Sequence, residues 1–196
     1  MEKILLYIKH RVVFIWRLIE WTNDLLYIIT YKSKVDNNLS VLFRKFSHPQ
    51  FIFRRLKLSD SDEIHRFIHS QNSSDLTYFQ PHKFDQHSIN KKLNQKSFIM
   101  MGVFDGEKMV GYFFLRMFFN KKCFVGRLID YEYRGKGIGK IMNDIMYNTS
   151  WSSNFRCLST ISKENSAVMK AHSKNSSMKL IKELNNNYLL VEFKKE

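Results

Sequence analysis

One stretch near the middle of the chain constrains its fold more than any other. Ile129-Asp130-Tyr131-Glu132-Tyr133-Arg134-Gly135-Lys136-Gly137-Ile138-Gly139-Lys140-Ile141-Met142 holds three of the chain's seven glycines, at alternate positions. A β-like run, Phe124 to Ile129, precedes them, and a helix-like run, Ile138 to Tyr147, follows. A strand that ends in a glycine turn and opens a helix presents several bare backbone N–H groups at the helix's positive end. That is a place to hold phosphate. Glycine lets the backbone approach an anion closely and take φ > 0 without a Cβ clash. Arg134, Lys136 and Lys140 add positive charge around the same turn.

The spacing excludes two phosphate loops. A Walker loop needs a glycine, four spacers and then Gly-Lys-Ser/Thr, and around Gly135-Lys136 the required places hold Asp130 and Gly137. A dinucleotide fingerprint needs its third glycine where this chain has Lys140. What fits is Arg-x-x-Gly-x-Gly, filled by Arg134, Gly137 and Gly139 after Ile-Asp-x-Glu-Tyr. The stretch resembles the coenzyme A pyrophosphate loop of the GNAT superfamily of acyl-CoA-dependent N-acyltransferases. A strand–helix turn that binds nothing is the alternative.

The order of elements agrees with that resemblance. Phe51 to Leu58 alternates as a strand and ends at Ser59-Asp60-Ser61-Asp62-Glu63, a helix start. Ile64, Phe67 and Ile68 give that helix its apolar face, Ser70 to Phe84 reads as a loop, and Gln86 to Leu93 as a second helix. Ser97 to Phe104, Asp105-Gly106 and Lys108 to Phe118 form a hairpin pattern. Cys123 to Ile129 is the strand leading into the glycine loop. Phe155 to Ile161 is a further strand, Asn165 to Lys174 a helix and Tyr188 to Phe193 a last strand. The sequence β-α-α-β-β-β-α-β-α-β is the order of the GNAT fold, a mixed α/β architecture with a mostly antiparallel central sheet. The expected organisation is a helical extension and linker over 1–50 and the GNAT domain over 51–196.

The resemblance implies a donor, a reaction and roles. The donor is acetyl-CoA and the acceptor a primary amine. Arg127, Leu128 and Ile129 fall where the family's splayed strand pairs its backbone with the pantetheine arm. Arg134, Gly135, Lys136, Gly137, Ile138, Gly139 and Lys140 fall where the pyrophosphate is wrapped. Asn165-x-x-Val168-x-x-x-His172-x-Lys174 is similar to the family's Asn-x-x-Ala-x-x-x-Tyr-x-Lys, with His172 in place of the tyrosine that protonates the leaving thiolate. Histidine also donates a proton near neutral pH. The Gly-Phe that usually follows is Ser176-Ser177 here. Asp130 and Glu132 flank the loop and are the acidic candidates for proton chemistry. His82, in Tyr78-Phe79-Gln80-Pro81-His82, and Arg116 are the acceptor-side candidates, since loops carry binding residues disproportionately. Phe79-x-Pro81-His82-x-Phe84 with Leu115-Arg116 resembles members that acetylate amino sugars for bacterial surface glycans. The acceptor readings are a nucleotide-linked amino sugar or other small molecule, a protein N-terminus or lysine, and a polyamine. A degenerate GNAT domain that binds cofactor without turnover is the rival reading.

Composition sets the remaining bounds. A net charge of +14 calls for an anionic partner. The lysines are scattered, and no zinc-finger, RNP-like or helix–turn–helix signature accompanies them, so nucleic acid is not expected. The two cysteines, Cys123 and Cys157, lie in β-like runs without metal-ligand spacing and read as buried thiols in a reducing, cytoplasmic compartment. No metal is expected. In residues 1–34, Ile4, Ile8, Val12, Ile15 and Ile19 recur at helical spacing. Lys9, Arg11, Arg17 and Glu20 fall within any window that would span a bilayer. Three readings stand for this helix: packing on the domain, a homodimer interface, or peripheral contact with a membrane. The expectation is that it belongs to the folded assembly.

Overall fold

The computed structural model describes residues 13–172, 175–185 and 187–195. Within these, strands β1 (Phe51–Arg55), β2 (Phe98–Asp105), β3 (Lys108–Met117), β4 (Lys122–Ile129), β5 (Arg156–Ser162), β6 (Met178–Glu183) and β7 (Tyr188–Phe193) form one sheet in the order β1-β2-β3-β4-β5-β7-β6. All neighbours are antiparallel except β4 and β5. That pair is joined by a helical crossover, which is what a parallel connection needs. It is also short: Lys122 opposes Arg156, Cys123 opposes Cys157, Phe124 opposes Leu158, and there the ladder ends. The two cysteines therefore lie side by side, both buried and free. Burial pushes the Cys123 thiol up to about 12 and Cys157 well above its ordinary value, so both stay protonated.

Helices cover both faces of the sheet. One face carries α1 (Val13–Thr30), α2 (Lys32–Lys45) and α6 (Ile138–Ser152), where Tyr27, Val35 and Leu39 meet a core that includes Ile138, Met142 and Ile145. The α6 residues recur at i, i+4 and i+7, which keeps them on one side of the helix. The other face carries α3 (Ser61–His69) and α5 (Gln86–Asn94). There Ile64, Phe67, Ile68 and Ile89 pack with Met100, Tyr112, Phe114 and Leu128. Asp85 caps α5 by accepting from the Ser88 N–H at 2.9 Å. The expected hairpin is present: Asp105 opposes Lys108, and Gly106 turns the chain at φ +58°.

Three expectations are corrected. The sequence from Val35 to Pro49 reads as a linker with a short helical piece around Leu39 to Phe46, but most of it is one helix. Helix α2 runs unbroken from Lys32, and its Val35, Leu39 and Leu42 are buried. Its Ser and Asn content obscured a narrow apolar stripe at i, i+4 and i+7. The loop over 70–84 contains a short helix, α4 (Ser73–Thr77). Strand β6 was not expected at all. It is the sheet's edge, and Lys179, Lys182 and Glu183 give it the charged, exposed pattern by which edge strands avoid pairing with other chains. The last helix is α7 (Ser166–His172).

Candidate functional site

Beyond Phe124 and Leu158 the strands β4 and β5 separate, and the site is built around that split. The Asp130 N–H donates to the Val110 carbonyl on the β3 side at 3.0 Å. Backbone direction alternates along a strand. The main-chain groups of Val125, Arg127 and Ile129 therefore point away from β3, into the split. Two side chains reach carbonyls there. Ser159 Oγ donates to Val125 O at 3.1 Å, and Arg134 Nε donates to Ile129 O at 3.2 Å. Leu128 directs its main chain to β3, and its buried side chain packs in the opposite core.

On the α6 side the split opens into a cleft of about 560 Å³. Its walls are the β4 segment from Val125 to Ile129, the glycine loop, the α6 face Gly139, Asn143, Met146 and Tyr147, the β5 end and the start of α7. Gly135 and Gly137 take φ +79° and +82°, and a Cβ at either would point into open space. A side chain there is opposed by backbone strain rather than by a clash. Gly137 sits at the N-cap of α6, so the helix's first N–H groups face the loop. Gly139 is glycine for another reason: its Cβ would come within 3.2 Å of Ile129 Cδ1 and 3.4 Å of Arg127 Nε. Ile138 is buried and anchors the loop, while Lys136 and Lys140 are exposed. Lys136 Nζ lies 4.4 Å from the Tyr133 ring centre.

Arg127 is the most unusual side chain in this cleft. Its Nε is buried without a hydrogen-bond partner. Burial pulls the guanidinium below its ordinary value, with Tyr147 acting in the opposite direction. A half-buried cation near a helix N-terminus adds positive potential to this part of the cleft. Arg134 also lines this cleft and is paired there with Asp75 of α4 at 2.8 Å.

A second cleft, of about 290 Å³, opens on the other side of the split. Thr77 to Pro81, Phe114, Arg116, Phe124 and Tyr188 line it, together with Val125, Gly126, Ser159 and Thr160. Those last four also line the α6-side cleft, so the two clefts meet at the split. Gly126 keeps the junction open, since its Cβ would lie 2.7 Å from Phe114 Cε1. Arg116, on β3, lines this cleft. Burial lowers its pKa, while Glu20 of α1, 3.8 Å away, raises it. The same carboxylate faces Lys92 at 3.3 Å and Lys91 at 3.9 Å, so three cations share one anion.

Three other sequence candidates, His82, Asp130 and Glu132, line neither cleft. His82 Nε2 lies 3.0 Å from the Tyr112 hydroxyl and Nδ1 2.6 Å from the Lys83 carbonyl, and its ring packs edge-on to Phe84 and Phe98. It props the wall behind the second cleft and lines neither. Asp130 accepts from the Glu132 N–H at 3.0 Å, fixing the turn after β4, and Glu132 is exposed, 4.0 Å from Lys108. Asn165 lines the first cleft and caps α7 by accepting from the Val168 N–H at 3.1 Å. His172 ends α7, and its side chain lies outside what is described. No cluster of metal-ligating side chains gathers among the described residues. Sequence reading missed Ser159, Thr160, Tyr147 and Glu20. Only Tyr147 carried a signal, because Gly139, Asn143 and Tyr147 repeat every four residues along α6.

A mixed α/β sheet split between its fourth and fifth strands, with a glycine loop opening the crossover helix, is the GNAT fold. Solved structures agree. The GNAT domain of S. lividans PAT superposes with a TM-score of 0.63 at 10% identity, covering 72% of this chain and 88% of that one. PaiA N-acetyltransferase from Thermoplasma acidophilum, solved in complex with coenzyme A, gives 0.60 at 14% identity, covering 74% and 99%. Ribosomal-protein-S5-alanine acetyltransferase from Vibrio fischeri gives 0.57 at 17% identity, covering 74% and 93%. At these identities the likeness is one of fold. No family model and no curated protein matches the chain by sequence.

Proposed function

We propose that the protein is an acyl-CoA-dependent N-acetyltransferase that transfers acetyl from acetyl-CoA to the primary amine of a small acceptor, a nucleotide-linked amino sugar first. The observation that carries this reading is the meeting of two clefts at Val125, Gly126, Ser159 and Thr160. One cleft holds a donor and the other an acceptor, and transfer needs both within reach of one point.

The α6-side cleft fits an anionic thioester cofactor in three respects. It has a glycine cradle that Cβ atoms would strain, a helix N-terminus and a guanidinium whose buried Nε is unpartnered. Gly135, Gly137, Ile138 and Gly139 with Lys136 and Lys140 would hold the pyrophosphate, and Arg127 and Ile129 would offer main-chain groups to the arm. Bound acetyl-CoA supplies the activated acyl group. An N–H on the free edge of β4, aimed into the split, stabilises charge developing on a carbonyl oxygen there. His172 on the last turn of α7 is the proton donor in this reading, and Asn165 holds that helix in place. Asp130 and Glu132 order the loop.

The acceptor-side cleft holds no Asp, Glu or His among its described lining residues. Solvent therefore takes the amine's proton, and the Arg116 cation favours the neutral, nucleophilic form of a bound amine. The same cation suits an acceptor that carries a phosphate or carboxylate and disfavours a polyamine. A protein N-terminus is the second reading, because a ribosomal-protein acetyltransferase shares the fold. The two buried free thiols fit a reducing cytoplasm. The test is release of free thiol from acetyl-CoA across a panel of nucleotide-linked amino sugars, peptides and polyamines, with mass-spectrometric detection of product. Sugar acetylation supports the reading, and acetylation of spermidine alone overturns the choice of acceptor. Tight coenzyme A binding without turnover on any acceptor makes the protein a cofactor-binding module.

A further inference from the structure

Helix α1 is docked by the face that would ordinarily meet water. Glu20 reaches Lys92, and Asn23 Nδ2 donates to the Met117 carbonyl at 3.1 Å while its Oδ1 accepts from the Phe119 N–H at 2.9 Å. Asp24 accepts from the N–H of Ser97 at 2.6 Å and of Lys96 at 3.3 Å. Tyr27 is fully buried. These four residues recur at i, i+3, i+4 and i+7, so they form one stripe.

The opposite face is apolar and exposed. Phe14, Leu18, Trp21, Leu25, Ile28 and Ile29 all reach solvent, with Phe14 at 76% and Ile29 at 74%. At 3.6 residues per turn the apolar arc covers roughly half the helix circumference, interrupted by Thr22 alone and edged by Arg17. A two-helix seam uses a stripe only two heptad positions wide, so this face is broader than a coiled-coil partner would cover. Phe119, against Asn23 and Tyr31, extends the patch onto the β3–β4 turn.

The surroundings are cationic. Exposed Lys91 and Lys96 lie along one flank beside Glu20 and Asp24, and exposed Lys121 and Lys122 follow Phe119 on the other. The helix's own acids are turned inward and partnered. A basic rim around an apolar face repels a second copy of itself and attracts an anionic surface. No described helix is long and apolar enough to cross a membrane, and the docked polar face of α1 holds the helix flat. We infer that α1 is a platform that seats the protein on an anionic phospholipid bilayer, its apolar arc in the acyl boundary and its lysines among the headgroups.

The full chain is the material for the test, sedimented with vesicles of phosphatidylcholine alone and of phosphatidylcholine with phosphatidylglycerol. Binding to the second kind only, weakened by salt, is expected. Phe14→Ser/Trp21→Ser/Ile29→Ser should lower the partition coefficient by about tenfold or more. These side chains are exposed, so its thermal unfolding should match the parent's. Lys121→Glu/Lys122→Glu should reduce binding to the charged vesicles by several-fold. Failure of the parent to sediment with either vesicle, or equal binding by the triple variant, overturns the inference. So does a dimer in sedimentation velocity that the triple variant abolishes when no vesicle binding is seen, for then a second copy covers the face.

Discussion

The two clefts that meet at the split are built from different materials. The α6-side cleft owes its anion-binding features to backbone: the free edge of β4, two glycines at positive φ in the loop and the first turn of a helix. About half of its lining residues come from one stretch, Val125 to Tyr147. The second cleft is side chains brought together from the end of α4 and the loop after it, β3, β4, β5 and β7. A backbone site recognises what is common to every ligand of a class, whereas a side-chain site is free to change from one protein to the next. In the proposed reading, the first cleft therefore defines the donor and the second the acceptor.

That division is most sharply broken by substitutions that disable one cleft alone. Gly137→Val forces a β-branched residue into the left-handed region at the N-cap of α6 and should lower affinity for coenzyme A by about a hundredfold or more. Calorimetric titration reads it, with circular dichroism to show that the fold survives. Normal binding by this variant would sink the donor assignment. Gly126 lines both clefts, but Gly126→Val acts towards the second, because its Cβ meets the ring of Phe114, which lines that cleft alone and is itself stacked on Phe98 at 5.2 Å. It should cut kcat/KM for the acceptor by about ten- to a hundredfold, the cost of overpacking. Coenzyme A affinity should hold; if both quantities fall together, the clefts are not separable.

A smaller effect sharpens the comparison. Arg116→Gln removes the cation from the acceptor side and should raise KM for an anionic acceptor by about tenfold, within the 1–3 kcal/mol range of a hydrogen bond to a charged group. A neutral acceptor and the cofactor should be unaffected. An equal loss for neutral and anionic acceptors would mean that Arg116 only packs against Glu20 and Phe118.

The same division explains what could be read from the sequence. The glycine loop was legible because positive φ and a helix N-terminus demand particular residues at particular spacing, and Gly135, Gly137 and Gly139 supply them within five positions. The strands around it were legible because each is buried in alternation or throughout. Helix α2 and strand β6 were not, since the apolar residues of α2 are few and β6 is dressed in charge as an edge strand. The acceptor cleft left little trace. Ser159 and Glu20 matter through partners 34 and 96 positions away, at Val125 and Arg116, and no local pattern announces such a pairing. His82 attracted attention as a loop histidine, yet the fold spends it on Tyr112 and two aromatic rings.

That use of His82 yields the smallest and most specific expectation. Burial holds its imidazole below the ordinary value of 6.5, and nearby Lys92 acts in the same direction, while the Lys83 carbonyl and Asp85 oppose them. Between the folded value and 6.5 the unfolded chain binds a proton that the folded chain refuses, so the native state loses stability as pH falls through that window. Above 6.5 the contribution is fully present. Urea unfolding at pH 7.5 and at progressively lower pH should show this limb in the parent and a flatter one in His82→Gln, whose amide keeps a polar contact without titrating. Because His82 supports Tyr112 and Phe98 behind the acceptor cleft, turnover should decline over the same window while coenzyme A affinity stays level. Parallel slopes in parent and variant would mean that another group carries the acid sensitivity.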